Sequence, residues 1–578
     1  MRSAARPRRR HQLVALIAGI LAAPAAATGT TFTDAAWTDN EHVNANKLGT
    51  ADRCDQNSGT IATAASRQLS GTLMDSNLDT LAALRGLNVT NDGAGTTTAS
   101  ANAVRINQDT FMAPLDASAV NTDLLQLSLP LGLPVGSADV YSQWGQTKNN
   151  GNVTAASGLI TNSGGALGLG QTQNPTDPPV MASLNLGAIV PTALAGITLD
   201  LGAVSSLAEL TYCGDLGNDW QGPLPQPVTN RSYRVSTLTL NADMPALDTA
   251  AAGANTLLQG MNLNLQAAQP GLSAAVAQDL ITAATPLLAG LDPLTPADVK
   301  TDVKLNLSQL DLSAAKALLT STLADHNGLV TVDFGAGIAH INLAKAEGGS
   351  NSLNGKAPNS KITLDQNVTN QLSTALTQIL DTWRAKIITA VQQAVRATPT
   401  SATATVTVRS LGIPLAEISL GLGPVTTGQL LDVHNGITGT PIPPVSTALK
   451  LLVLNAPTSA LNTLTAGLAT ALPSVTGKAL QNSLILGIVG TLTTSLQEQT
   501  VPVGPALTQA LNQVNNLLSI TVNVQPDQPG YEGTPSPSPL SVTALHLALN
   551  PIESLNLSLA TSSVAYTLSD QEDEASSP

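Results

Sequence analysis

Aromatic side chains are nearly missing from this sequence: three Phe, five Tyr and four Trp among 578 residues. Its cores must therefore be built from Ala, Leu, Val, Ile and Thr. Carbohydrate sites hold sugars on aromatic faces, so the scarcity weighs against a lectin. Charged residues are also sparse at 11%, too few for a chain held open by repulsion, while 43% hydrophobic residues suffice for packed cores. The scarcer sign is positive, with 25 Lys+Arg against 39 Asp+Glu. Five of those 25 lie in the first 27 residues, which read as a removable segment; without them 20 face 39, a formal charge of −19. No basic run then remains. Nucleic acids and anionic lipid surfaces need clustered Lys and Arg, so neither is an expected partner.

Cysteine is confined to Cys54 and Cys213. Two such residues in an exported chain point to a disulfide between them, which would stabilise by roughly 5 kcal/mol for so long a loop. A metal site needs more ligands than these, and a catalytic thiol needs a histidine partner that no motif supplies. Recognisable catalytic motifs are lacking as well. There is no H-E-x-x-H, C-x-x-C-H, G-x-S-x-G, Walker A loop or supported S-x-x-K. "GGALGLG" (164–170) has neither the spacing nor the context of a dinucleotide fingerprint. His42, His326, His340, His434 and His546 stand in no ligand spacing, and His546 falls on the polar side of an alternating segment. "ADHNG" (324–328) and "DVHNG" (432–436) form a near-pair that reads as turns, since Asn-Gly favours left-handed backbone. No catalytic or cofactor-binding residue is assigned.

What is present begins with an export signal over residues 1–27. Arg2, Arg6, Arg8, Arg9 and Arg10 form a positive region, Leu13 to Leu21 a short apolar one, and Ala25-Ala26-Ala27 a cleavage site, placed after Ala27. The apolar run is shorter than the roughly 20 residues a membrane span requires. His11 and Gln12 disfavour the twin-arginine route, which leaves general secretion. The expected location is secreted or extracellular, including association with the cell wall, with an unidentified extracellular or envelope partner and no transmembrane segment in the mature chain.

The body divides by pattern. Residues 28–241 are turn-rich and alternate with period two, as in "LLQLSLPLGLP", "ITLDLGAVSSLAELTYCG" (197–214) and "YRVSTLTLN" (233–241), which predicts half-buried strands. Within that region 88–102 and 142–158 read as loops of Asn, Gly, Thr and Ser. Residues 242–524 mix helices and strands. Over 364–396, Val368, Leu372, Leu376, Ile379, Leu380, Trp383, Ile387, Val391 and Val395 recur at helical spacing, capped by Asp365 or Asn367. Ala/Leu-rich helical tracts (274–292, much of 446–516) precede strands predicted at 303–312 and 517–524, and "ATATVTVR" (402–409) follows the 364–396 helix, so worn helix–strand units are conceivable. "SLILGIVGTL" (483–492) reads as a buried segment. Residues 525–540 form a Pro-rich linker, read as an excursion between strands; 541–568 are C-terminal strands and 569–578 an acidic disordered tail. The fold class expected is α+β: a β-rich N-terminal domain, then a mixed helix/sheet region with long amphipathic helices packed on antiparallel sheets.

Two acidic stretches, 33–46 and 213–221, place Asp, Asn and Glu beside a tryptophan. Asp215 and Asp219 are the candidate Ca²⁺ ligands there, although neither stretch follows the EF-hand order and local Asx turns are the simpler reading.

The segment "ATGTTFTDAAWTDNEHVNA", the early cysteine in "LGTADRCDQNSG" and the later "LTYCGDLGNDW", set in a long Ala/Thr/Asn/Leu-rich body, resemble actinobacterial exported surface proteins of the choice-of-anchor G family. The resemblance implies a surface body whose C-terminal attachment device varies between members, and it carries over no catalytic residue. A sortase signal is not apparent: "LPSVTG" (472–477) has one residue too many and lies far from position 578, which reads either as an anchorless member or as a sequence that stops short of its anchor. The expected function is structural, adhesive or surface-display. The alternatives are a carrier of apolar ligands and an exported hydrolase with a site assembled from distant residues.

Overall fold

The computed structural model describes residues 60–568, apart from position 75 and the stretches 81–84, 115–124, 128–139, 161–181, 212–226, 289–296, 347–352, 438, 440, 454–456 and 551–553. The export signal through Ala27, His42, the Cys54–Cys213 pair, Asp215, Asp219, "GGALGLG" and the 569–578 tail lie outside the described residues.

Alternating apolar side chains set the architecture, which among the described residues is α+β with four antiparallel sheets and long helices. In the strand Thr60–Leu73, Ala62 and Ala64 turn to the core; in Pro399–Ser410 the set is Ala402, Ala404, Val406 and Val408. Each such strand buries one face and pairs sideways. The eight-stranded sheet runs Ser360–Ile362, Leu518–Val524, Leu540–Leu549, Leu555–Leu568, Thr60–Leu73, Leu87–Asn91 and Thr97–Ala99, with Ser76–Asn77 added beside Thr60–Leu73. Its first and last long strands in sequence are therefore neighbours, in register from Thr60 opposite Leu568 to Leu73 opposite Leu555.

A six-stranded sheet (Val228–Val235, Val204–Thr211, Val153–Ile160, Val140–Thr147, Thr110–Pro114, Val104–Arg105) packs face to face on it. With so few aromatics the contact is made by small residues. Ala64 meets Gly145, where a Cβ would come within 3.4 Å of its own, and Ala155 is fully buried. Two polar contacts cross this layer: Ser206 Oγ lies 2.7 Å from Ser562 Oγ, and Ser157 Oγ donates to Gln68 Oε1 at 3.0 Å.

A seven-stranded sheet (Thr322–Ala324, Val330–Asp333, Ile338–Asn342, Leu238–Asp243, Ile197–Leu201, Ala182–Asn185, Leu125–Leu127) and a four-stranded one (Ala297–Leu307, Pro399–Ser410, Ile413–Thr426, Ser446–Leu451) complete the β structure. Helices lie between them. The 44-residue helix Pro245–Leu288, about 66 Å long, buries Leu247, Ala250, Ala254, Leu258, Met261, Leu265, Leu272, Val276, Leu280 and Ala284 along one stripe. It packs on the strand Ala297–Leu307 and the helix Thr458–Leu480. Gln366–Ala397 is the amphipathic helix expected over 364–396: Asp365 caps it by accepting from Val368 N at 2.8 Å, and all nine stripe residues are buried. Trp383 stacks on Phe334 at 4.5 Å between centroids and donates to Leu318 O at 2.9 Å.

Several expectations change. The loops read at 88–102 and 142–158 are hairpins, whose strands extend from Leu87 and Val140. The turn signals were correctly placed, with Gly151 at φ 80° in the second, but the Thr, Val and Asn flanking them pair as strands. The strand foreseen at 303–312 occupies Ala297–Leu307, and the helical tract foreseen at 274–292 begins already at Pro245, because Ala carries the helix where the leucine spacing thins. "SLILGIVGTL" is only half buried: Leu484 and Val489 face the core while Leu486 is 65% exposed, on the π-helical turn Gln481–Val489. Two helical stretches, Pro245–Leu288 and Thr458–Leu517, are long and apolar enough to cross a membrane by length and composition alone.

The division at 241/242 falls inside the strand Leu238–Asp243, which joins Ile197–Leu201 on one side to Ile338–Asn342 on the other. The C-terminal strands likewise belong to the sheet begun by Thr60–Leu73. Sheets here are assembled across the sequence, not within consecutive blocks. The Pro-rich segment 525–540 connects two adjacent strands, Leu518–Val524 and Leu540–Leu549. It is tied down: Asn359 Nδ2 donates to the carbonyls of Gln525, Gln528 and Pro529 at 3.0–3.1 Å, and Arg231 pairs with Asp527.

Candidate functional site: a polar row across the seven-stranded sheet

Strands Ile197–Leu201, Leu238–Asp243 and Ile338–Asn342 send Leu199, Leu201, Leu240, Ala242, Ala339 and Ile341 into the core. The opposite side chains then share the other face. Register aligns them, with Asn185 opposite Thr198, Thr198 opposite Asn241, Asn241 opposite His340 and His340 opposite Thr331. A single half-buried row of polar side chains thus crosses five strands.

Its centre is bonded. His340 Nδ1 lies 2.7 Å from Asn241 Oδ1. An amide oxygen only accepts, so Nδ1 carries the proton and donates. Asn241 Nδ2 donates in turn to Asp200 Oδ2 at 2.6 Å and Thr198 Oγ1 at 3.2 Å. The carboxylate is therefore connected to the imidazole through an amide. A cleft of about 520 Å³ adjoins the row, bordered by Asn185, Ala188, Pro191, Thr198, Asn241 and Ile338.

The arrangement fixes the ring and leaves Nε2 as a lone-pair acceptor while the ring is neutral. For acid–base work that nitrogen would need a reacting proton within about 3 Å; among the described residues no hydroxyl or thiol is bonded to it. Of the row, Asn185, Thr198 and Asn241 border the cleft and are the members within reach of a polar ligand there, whereas His340 is not among its lining residues. Two other surface clefts, of about 660 and 630 Å³, lie between the helix Pro245–Leu288 and the strand Ala297–Leu307, and between the helices Gln366–Ala397 and Val503–Leu517.

The other histidines are dispersed. His546 Nε2 meets Asn556 Oδ1 at 2.9 Å on an exposed face. The near-pair of His-Asn-Gly strings forms two different turns. In the first, Asp325 accepts from Asn327 N and Val330 N at 2.8 Å and Gly328 sits at φ 64°; in the second, Asn435 and Gly436 end the helix Thr427–His434. "LPSVTG" lies inside the helix Thr458–Leu480, with Gly477 against Leu430 O. Among the described residues no group of three or more His, Cys, Asp or Glu is placed to hold a metal ion.

Asp200 and Asn241 were not singled out by sequence. Alternation does put them on the polar side of their strands, yet the pairing with His340, almost a hundred residues on, requires the register of three strands.

A family model spans nearly all of this structure, matching residues 64–565. The chain belongs to the family described as Domain of unknown function (DUF8394). No curated protein and no solved structure matches it. The matched span begins in the strand Thr60–Leu73 and ends in its partner Leu555–Leu568. The DUF8394 unit is thus the whole interlocked body rather than one of the blocks into which the sequence pattern divides.

Proposed function

We propose that this DUF8394 protein is a secreted or cell-surface structural protein that displays or adheres through its folded body and catalyses no reaction. The observation that carries this reading is the pairing of Thr60 with Leu568. The first and last described strands begin and end side by side, so segments flanking either one would hold the body from the same place. The outer side of the four-stranded sheet, where Thr403, Thr405, Thr407 and Ser419 stand beside charges of both signs such as Asp302, Lys304 and Glu417, suits a solvated display surface. The export signal, the net negative charge and the choice-of-anchor G resemblance are the sequence's contribution.

The two alternatives have less behind them. An exported hydrolase would draw on His340, but among the described residues the ring's one bonded partner is an amide. A carrier of apolar ligands would use an enclosed apolar cavity, whereas the clefts found here border polar side chains such as Gln266, Gln269 and Ser273. Fractionation of native cells into medium, wall, membrane and cytosol, with terminal peptides identified by mass spectrometry, tests the proposal. Recovery from medium or wall with a new N-terminus at Thr28 is the expected result. Recovery from the cytosol with residues 1–27 intact would overturn it.

A further inference from the structure

Among the described residues the main strand orders of the four sheets end in eight edge strands, and proteins manage such edges by shortness, charge or cover. Five end in strands of three residues or fewer: Ser360–Ile362, Thr97–Ala99, Thr322–Ala324, Leu125–Leu127 and Val104–Arg105. The edge strand Val228–Val235 is bonded by a loop side chain, because Asn354 Oδ1 accepts from Val235 N at 2.8 Å and its Nδ2 donates to Val235 O at 3.1 Å. The edge strand Ala297–Leu307 carries Asp298, Lys300, Asp302 and Lys304, and side chains of the helix Pro245–Leu288 bond its far end: Ser273 Oγ accepts from Leu305 N at 3.1 Å and Gln269 Nε2 donates to Leu307 O at 3.1 Å.

The eighth edge, Ser446–Leu451, is less protected: the helix Thr458–Leu480 packs against the strand, but among the described residues no side chain bonds its outer backbone groups. It is six residues long with one charge, Lys450. Leu451 is 44% exposed, and Leu452 and Val453 after it are 42% and 40% exposed. Its free hydrogen-bonding groups can be named. Leu452 N donates inward to Leu415 O at 2.9 Å, and Ala416 stands opposite Leu451. In an antiparallel ladder this makes Leu451 a non-bonded position, so the N–H and C=O of Leu451, Leu449 and Thr447 all point outward. Among the described residues nothing bonds them.

We propose that the occupant of this edge is the same strand of a second copy of the chain, paired antiparallel about a two-fold axis through Leu449. Only an extended backbone satisfies a row of alternating donors and acceptors at strand spacing. The outward groups at 447, 449 and 451 are symmetric about 449, so one register, Leu449 opposite Leu449 and Thr447 opposite Leu451, uses all six without remainder. The same register sets Val453 opposite Val445 and places the exposed Leu451–Val453 stretch along the partner's Val445–Thr447. Lys450 faces Ala448 rather than another lysine. Pro443 and Pro444 stop the pairing just before Val445, since proline offers no N–H. The assembly closes at two copies, because the edge left at each end is the charged, helix-bonded Ala297–Leu307. It joins two four-stranded sheets into one. The dimer deepens the display reading, giving each assembly two bodies, but the pairing itself rests on the edge geometry alone.

Sedimentation velocity of the purified full chain over a concentration series tests it. A monomer–dimer equilibrium is expected, and Leu451→Lys, at an exposed position, raises the dissociation constant roughly tenfold or more with an unchanged circular dichroism spectrum. A wild-type chain that stays monomeric throughout, or one that grows into open-ended polymers, overturns the proposal while leaving the fractionation result intact. Should Leu451→Lys fail to fold, cross-linking decides. Ala448 and Lys450 are exposed on the outer face and opposite each other in the proposed register. A mixture of Ala448→Cys and Lys450→Cys chains then oxidises to a covalent dimer in higher yield than either variant alone. Equal yields from the single variants would exclude this register.

Discussion

Asn359 does more than its size suggests. It sits at φ 59°, a left-handed conformation that asparagine tolerates better than most residues, and its side chain bonds three carbonyls and one N–H of the segment that follows Val524. A carboxylate there would face the same carbonyl oxygens with no proton to give. Asn359→Asp is therefore expected to destabilise by about 2–3 kcal/mol at neutral pH, measured by chemical denaturation. The same segment is held by Asp527. Partial burial opposes ionisation of that carboxyl, but hydrogen bonds from Arg231 and Gln528 outweigh it and hold the pKa below its ordinary 3.8. A depressed carboxyl pKa stabilises the fold above the ordinary value and loses that contribution as pH falls through the folded one. Wild type should exceed Asp527→Asn in thermal stability at pH 7, by about 2 kcal/mol, and the two should converge as the pH falls below 3.8 and through the depressed value of the folded carboxyl. A gap that persists unchanged in acid would show that the carboxylate charge is not responsible. None of this was legible in "QPDQPGYEGTPSPSPL", whose composition announces extended backbone but not the distant Asn359 and Arg231 that hold it.

Elements were more legible than residues, to the degree that their pattern is local. The helix Gln366–Ala397 could be read residue by residue because its stripe, its cap and its length all agree. Its one tryptophan carries much of the packing in a core poor in aromatics. Trp383→Ala should cost about 3–5 kcal/mol, and Trp383→Phe less, with loss mainly of the bond to Leu318 O; equal costs for the two would argue that packing against Phe334 contributes little. Strands in Thr- and Asn-rich stretches were read as loops because the same residues serve both, and only a neighbour decides. Gly158 illustrates the point. At φ 107°, with an added Cβ falling 2.2 Å from Val204 O, it can be no other residue, yet in the sequence it looks like one more loop glycine. The polar row through His340 failed to show for the same reason. Each member is an ordinary polar-side residue of its own strand, and the row exists only after Ile197–Leu201, Leu238–Asp243 and Ile338–Asn342 are laid side by side.

At the scale of the whole molecule, dependence between distant segments replaces the expected sequence of blocks. The strand Leu555–Leu568 is the shared neighbour of Thr60–Leu73 and Leu540–Leu549, and it also packs across the layer on Val204–Thr211 and Val153–Ile160. Removing it strips a ladder from both flanking strands and uncovers the inner side of the six-stranded sheet, where Ala155, Ser206 and Ala208 are buried. A chain stopped after Asn550 should therefore lose more than a local element. If the body is one cooperative unit, the truncated chain should resist proteolysis nowhere, including at the helix Gln366–Ala397, which packs on Val503–Leu517 and Val330–Asp333. If the helical part were an independent domain, a stable fragment spanning 366–517 would survive limited proteolysis instead. The interlocking favours the first outcome, because the helix Val503–Leu517 leads directly into Leu518–Val524, a strand of the very sheet that the deletion breaks. The unit that folds is then the unit the family match spans.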